Sequence, residues 1–176
     1  DVHGQPYATL PPSIDNWRRQ PERRIPANLP VAPFDLGLYV PPDQMTGNPV
    51  HRFYQQQYQI NGGKMDRFVA WGGTGGLVMS YYDATHMPLG TLARQYVLAD
   101  NFFHAAFGGS FLNHVWLACA CTPYWPDAPA AMRVQVDADG MLLPNGDGDV
   151  TPDGYVVNTA FTVNTPHPSN VPHDRL

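Results

Sequence analysis

Apolar residues in this chain fall in short blocks punctuated by proline and glycine, and one block is longer than the rest. From Tyr96 to Pro123 the sequence runs YVLADNFFHAAFGGSFLNHVWLACACTP. The apolar run Tyr96 to Leu98 predicts a strand, and Leu112, Val115, Trp116 and Cys119 recur at the spacing of a buried helix. Between them, Gly108 and Gly109 supply backbone conformations that other residues avoid. The turn can then be sharp, with Ser110 projecting at the helix start. A helix start offers unpaired N–H groups and about half a positive charge, which suits a hydroxyl that must meet an anion. By spacing alone, the commoner role of such a serine is to cap the helix.

Upstream, His51 to Gln59 predicts a helix whose face carries Phe53, Tyr54, Gln57 and Tyr58. Asn61-Gly62-Gly63 breaks it, and Lys64 to Trp71 predicts a second helix with Met65, Phe68 and Val69 inward. The glycines of 72–76 lack the Lys-Ser/Thr ending and the preceding strand of a nucleotide-binding loop, so they read as a flexible connection. Leu77 to Tyr82 is a short segment and Asp83 to His86 a turn. Met87 to Gln95 predicts a helix with Pro88 in its first turn and Leu89, Leu92, Ala93 and Tyr96 on its buried side. Helix, strand, turn and helix in that order are the rhythm of an α/β fold.

The flanks are less regular. Prolines are dense from Asp1 to Pro49, which excludes long helices and leaves at most a turn around Ile14 to Gln20. Residues 1–50 are expected to wrap a core formed by 51–163, with Phe34 to Val40 as an edge strand or ordered coil. The arginines at 18, 19, 23 and 24 could hold phosphate, though a solvated face is the commoner meaning of such a run. After Pro123 the helical pattern stops. Met132 to Val136 and Tyr155 to Phe161 predict strands, with a turn at Asp137 to Gly140. Asn145 to Asp149 resembles the start of a calcium loop, but Val150 and Val156 stand where that loop needs Gly and Glu. Asn164 to Leu176 reads as coil, with His167 and His173 too isolated to form a metal site.

Composition narrows the function classes. The chain has 176 residues, enough for one domain with a core, and 19 prolines and 16 glycines predict extensive irregular structure. A net charge of −5 without a basic stripe gives nucleic acid no electrostatic footing. No apolar run reaches membrane-spanning length and no signal peptide is visible. The chain begins at Asp1 rather than Met, which predicts a processed or excised piece. Cys119 and Cys121 lie two apart on the predicted helix, where side chains do not face one another, so they are expected as buried thiols rather than a disulfide.

Four segments, MDRF at 65–68, GLVMSYYD at 76–83, LADNFFH at 98–104 and GSFLNH at 109–114, resemble the phosphoesterase family of bacterial acid phosphatases and phospholipases C. That family lies within the alkaline-phosphatase-like superfamily. The resemblance covers roughly His51 to Phe161. It implies an alkaline-phosphatase-like sheet-and-helix domain, and it makes Ser110 the nucleophile and a metal ligand. Most phospholipase C members carry Thr in a Gly-Pro-Thr setting, so Gly-Gly-Ser is closer to the acid phosphatase branch. His51, ahead of the pattern met by Asn61, Gly63, Met65, Asp66 and Phe68, would donate a hydrogen bond or proton to a phosphoryl oxygen. On its own residues, His51 could equally cap or pack. Asn113 and His104 are expected on the substrate.

A serine hydroxyl needs an activating base or a metal. Leu112 replaces the final glycine of a Gly-x-Ser-x-Gly elbow, which makes an esterase triad a weak second reading. The resemblance implies a divalent metal ion in the complete enzyme. Its ligand sets, an acidic/amide pair near the domain start and carboxylates and histidines near its end, have no match in this chain. The expectation is therefore a single, partial domain spanning 1–176, an internal piece of a larger phosphoesterase that binds no metal tightly alone. The rest of that domain would be its partner, a phosphate ester its substrate, and the periplasm or exterior its location. The expected activity is acid phosphatase through a phosphoserine. The alternatives are a phospholipase C of the same family or an inert fragment.

Overall fold

Where the proline-rich stretch predicts a turn, a small hairpin closes. The computed structural model describes residues 1–160. In it β1 (Ile14–Asp15) pairs antiparallel with β2 (Gln20–Pro21). The buried Asp15 carboxylate accepts the Arg18 N–H at 3.2 Å and supports the turn. Further on, β3 (Phe34–Asp35) pairs in parallel with β4 (Ser80–Tyr81). Asp35 then starts a 3-10 turn at Leu36–Leu38, its side chain accepting the Gly37 N–H at 2.8 Å. These elements enclose Ile25, Leu36, Val40 and Leu77. Tyr82 covers that cluster and donates its hydroxyl to the Val40 carbonyl at 3.0 Å, and burial pushes its phenol up.

The chain folds as two compact units. One comprises Asp1–Val50 with Tyr58–Phe102, and the other His51–Gln57 with the described residues from Phe103 on. Helices alternate with small sheets, a mixed α/β composition. The helices are α1 (Phe53–Ile60), α2 (Phe68–Trp71), α3 (Pro88–Gln95) and α4 (Ser110–Cys119).

Several expectations are corrected in the first unit. The second helix is a single turn, because Met65 takes a left-handed backbone (φ 57°) that no helix admits. The glycine run after it is packed rather than loose, with Thr74 fully buried ahead of a 3-10 turn at Gly75–Met79. Gly75 is irreplaceable there, since its φ is +58° and a Cβ would stand 2.1 Å from the Pro12 carbonyl oxygen. Helix α3 forms but buries none of its residues, and Leu89 is 78% exposed. Tyr96 to Leu98 forms no strand, with Val97 92% exposed. Periodicity names the side that can be buried, whereas burial needs a neighbour, and no described element covers these side chains.

In the second unit the core comes from the segment where helical pattern stops. Trp125, Ala128, Met132, Val150, Val156 and Ala160 pack together with Phe111 from α4. A second cluster joins Tyr54 from α1 to Val134 and Val157, and burial pushes the Tyr54 phenol up. The strands expected at 132–136 and 155–161 shrink to isolated bridges, among them Arg133↔Val150 and Val150↔Val156. A 3-10 turn at Ala130–Met132 takes the start of the first one. The Asp137 to Gly140 turn forms, with Gly140 N–H on the Asp137 carbonyl at 3.1 Å. Phe161, His167 and His173 lie outside the described residues.

The cysteine expectation is overturned. Helix α4 stops at Cys119 because Ala120 adopts the left-handed conformation (φ 50°, ψ 37°). That reversal brings the Cα atoms of Cys119 and Cys121 to 5.2 Å, and the two form a disulfide. Neither cysteine is buried. The helical geometry that keeps such side chains apart does not extend to Cys121. Leu112 is buried as expected, Val115 and Trp116 are half-buried, and Cys119 is exposed.

Candidate functional site

The double glycine earlier read as a turn has two separate physical duties. Gly108 sits at φ +133°, where a Cβ would also press on Leu112 and Phe53. Gly109 is extended (φ −80°, ψ −172°) and is the N-cap of α4. A Cβ on it would stand 2.9 Å from the His51 carbonyl oxygen, so its absence lets the two backbone segments meet. Ser110 is thus the first residue inside the helix, with no side-chain capping bond at this end. Its side chain is exposed.

Ser110 opens on a cavity of about 90 Å³ lined by His51, Arg52, Gly109, Phe111, Val157, Asn158 and Thr159. Three stretches distant in sequence build it. The start of α4 brings Ser110, the residues leading into α1 bring His51 and Arg52, and the chain after Val156 brings Asn158 and Thr159. Asn158 locks two of these together. Its Oδ1 accepts the Phe53 N–H at 3.0 Å, and its Nδ2 donates to the Gly148 carbonyl at 2.9 Å.

Arg52 is the positive charge of the site. Its Nε donates to Asp147 at 3.1 Å, and its Nη2 donates to the Gly148 carbonyl and to Asp149 Oδ1, each at 2.8 Å. These bonds use three of the five guanidinium N–H groups, and no bond from the Nη1 pair is made to the described residues. The acidic residues that mimic a calcium loop in sequence therefore hold an arginine. Sequence reasoning missed Arg52, Asn158 and the meaning of Asp147 and Asp149. The one signal was an arginine directly after His51, and nothing local marks it as anything but a surface cation.

Ser110 and His51 are brought together on this cavity, while the other two expected residues are not on its lining. Asn113 is buried and turned toward the loop before the serine. Its Oδ1 accepts the Ala106 N–H at 3.1 Å, and its Nδ2 donates to the carbonyls of Ala106 at 3.0 Å and Gly109 at 3.1 Å. Its visible work is to hold the turn that presents Ser110. His104 is exposed on the coil ahead of that turn.

A family model described as the phosphoesterase family matches residues 22–173. The chain belongs to that family. The matched span contains Ser110, His51, Arg52, Asn158 and both aspartates, and membership makes a phosphate ester the substrate. No curated protein and no solved structure matches the chain. No helix among the described residues is long and apolar enough to cross a membrane.

The donor set around Ser110 does not fit a divalent ion by itself. Among the described residues no three His, Cys, Asp or Glu side chains converge as a metal site would require. Asp147 and Asp149, the carboxylates that reach this region, are bonded to Arg52. What the cavity does offer a phosphate is hydrogen-bond donors, the Arg52 guanidinium and the N-terminus of α4, with His51 on the same lining.

Proposed function

We propose that this chain carries the nucleophile of a phosphomonoesterase of the acid phosphatase type, acting through a phosphoserine at Ser110. The observation that carries this reading is that the exposed Ser110 side chain shares one small cavity with Arg52 and His51. Ser110 Oγ attacks phosphorus in line, forming the O–P bond as the ester P–O bond breaks, and the serine proton passes through solvent to the ester oxygen, which leaves as the alcohol. Arg52 Nη1 and the first N–H groups of α4 bind the phosphoryl oxygens, whose charge grows in the transition state. His51 donates a hydrogen bond or proton to a phosphoryl oxygen. Water then releases phosphate from the serine.

The cavity, about 90 Å³, has room for a small tetrahedral phosphoryl group beside Ser110, and the Gly-Gly-Ser setting supports the monoester reading over a phospholipase C. In this proposal the divalent ion expected of the family takes Ser110 as one ligand, and the described residues around Ser110 do not supply the rest of its shell. A periplasmic or secreted setting is proposed as well, on the resemblance to the acid phosphatase branch of the family.

The test is chemical trapping. The enzyme turning over a phosphate monoester is quenched in acid and digested, and the peptide holding Ser110 is weighed. A phosphate on Ser110 that appears and decays with turnover is expected. Hydrolysis that proceeds with no phosphate ever found on Ser110 would end the reading.

A further inference from the structure

The far end of α4 carries chemistry that phosphate-ester hydrolysis does not use. We propose that the Cys119–Cys121 disulfide is a thiol–disulfide exchange site, open in the folded protein to low-molecular-weight thiols. This inference stands apart from the hydrolase reading. Both cysteines and the intervening Ala120 are exposed, and Leu117 beside them is 84% exposed, so among the described residues a thiol meets no packed barrier. The bond closes a loop with one intervening residue and restrains the unfolded chain very little. It closes across Ala120, which stands at φ 50°, a left-handed conformation that disfavours a residue with a Cβ. Reduction releases that residue. The turn is otherwise secured by the Ala120 N–H on the Trp116 carbonyl at 2.9 Å and by Trp116 Nε1 on Thr122 at 3.2 Å. Exposed disulfides of this kind are the labile ones.

The geometry also gives the exchange a direction. Cys119 is the last residue of α4, where the helix end carries partial negative charge, while Cys121 lies beyond the reversal. Negative charge is less costly on the Cys121 sulfur, so that sulfur leaves. A thiolate attacks Cys119 Sγ, a mixed disulfide forms there, and the Sγ–Sγ bond breaks with its electron pair going to Cys121 Sγ, which is then protonated. A second thiolate attacks the sulfur of the bound small thiol. It releases Cys119 as a thiolate that takes a proton, and it forms the disulfide of the small thiol. Two thiols are oxidised to one disulfide as the protein disulfide is reduced to two thiols.

Glutathione is the probe. The folded chain is equilibrated with graded ratios of reduced to oxidised glutathione, quenched in acid, alkylated and mapped by mass, with circular dichroism on the same samples. Reduction of the bond with the fold retained, and early mixed disulfide on Cys119, are expected. Ala120→Gly should lower the equilibrium constant for reduction about fivefold, because glycine accepts the left-handed turn without penalty. A disulfide that resists excess glutathione until denaturant is added would overturn the proposal. Mixed disulfide found on Cys121 would overturn the direction, and an Ala120→Gly equilibrium equal to that of the parent would overturn the role of strain.

Discussion

Arg52 Nη2 lies 2.8 Å from Asp149 Oδ1, a pair separated by 97 residues in sequence. The contact does more than neutralise a charge. Together with Asp147 it fixes the guanidinium of Arg52, a residue on the lining of the cavity onto which Ser110 opens. A forked cation held by two carboxylates is oriented before any anion arrives, which is what gives a fixed charge its value in a transition state.

Replacement of Arg52 is the first test of that orientation. Arg52→Ala should lower kcat/KM for a phosphate monoester by about 10²–10³-fold, the range for loss of one preorganised donor. Arg52→Lys should recover little, because an ammonium cannot hold both aspartates and still reach a ligand. Steady-state kinetics on both variants checks this, and a fully active lysine variant would show that any positive charge suffices.

Ser110→Ala removes the attacking atom, and turnover should fall to background. The melting temperature should hardly move, since Ser110 makes no capping bond and alanine is a good helix former. His51→Ala should be milder, a loss of about 10²–10⁴-fold. Hydrolysis rates beside thermal melts separate the two roles. Near-normal activity in Ser110→Ala would send the search for the nucleophile elsewhere.

Gly109→Ala tests the close approach of the two backbone segments. The added Cβ meets the His51 carbonyl oxygen at 2.9 Å, so one segment must shift, at a cost of about 1–3 kcal/mol. Activity should drop along with stability, because His51 and Arg52 move relative to Ser110. Urea denaturation and kcat on the same preparation check it. Loss of stability with unchanged kcat would mean that the approach serves packing alone.

Acid sensitivity should trace in part to Glu22. Its carboxylate is buried, and the side-chain hydrogen bond from Arg24, Nε to Oε1 at 2.8 Å, holds it below the usual glutamate range. A carboxyl depressed on folding stabilises the protein fully above its unfolded value. That contribution is lost as pH falls through the folded one. Unfolding free energy should therefore decline below about pH 4.3, the ordinary glutamate value, and Glu22→Gln should flatten that decline. Chemical denaturation at stepped pH measures the slope, and an unchanged slope in the variant would remove Glu22 from the account.

What could be read from the sequence alone was what short range dictates. Gly108-Gly109 before Ser110, followed by apolar residues at helical spacing, placed a helix start at Ser110, because turn chemistry and periodicity are properties of a few adjacent residues. The turn at Asp137–Gly140 and Pro88 at the start of α3 were legible for the same reason. Family membership was legible because its motifs are local strings. Tertiary structure decided the rest. Tyr96–Leu98 and the apolar side of α3 have the composition of buried elements, yet burial depends on what packs against them. Cys119 and Cys121 bond because one left-handed residue ends the helix between them, a backbone choice that periodicity does not register. Arg52, Asp147, Asp149 and Asn158 became a site only when the chain returned on itself across roughly a hundred residues, and no local pattern records which distant charges a fold will bring to one point.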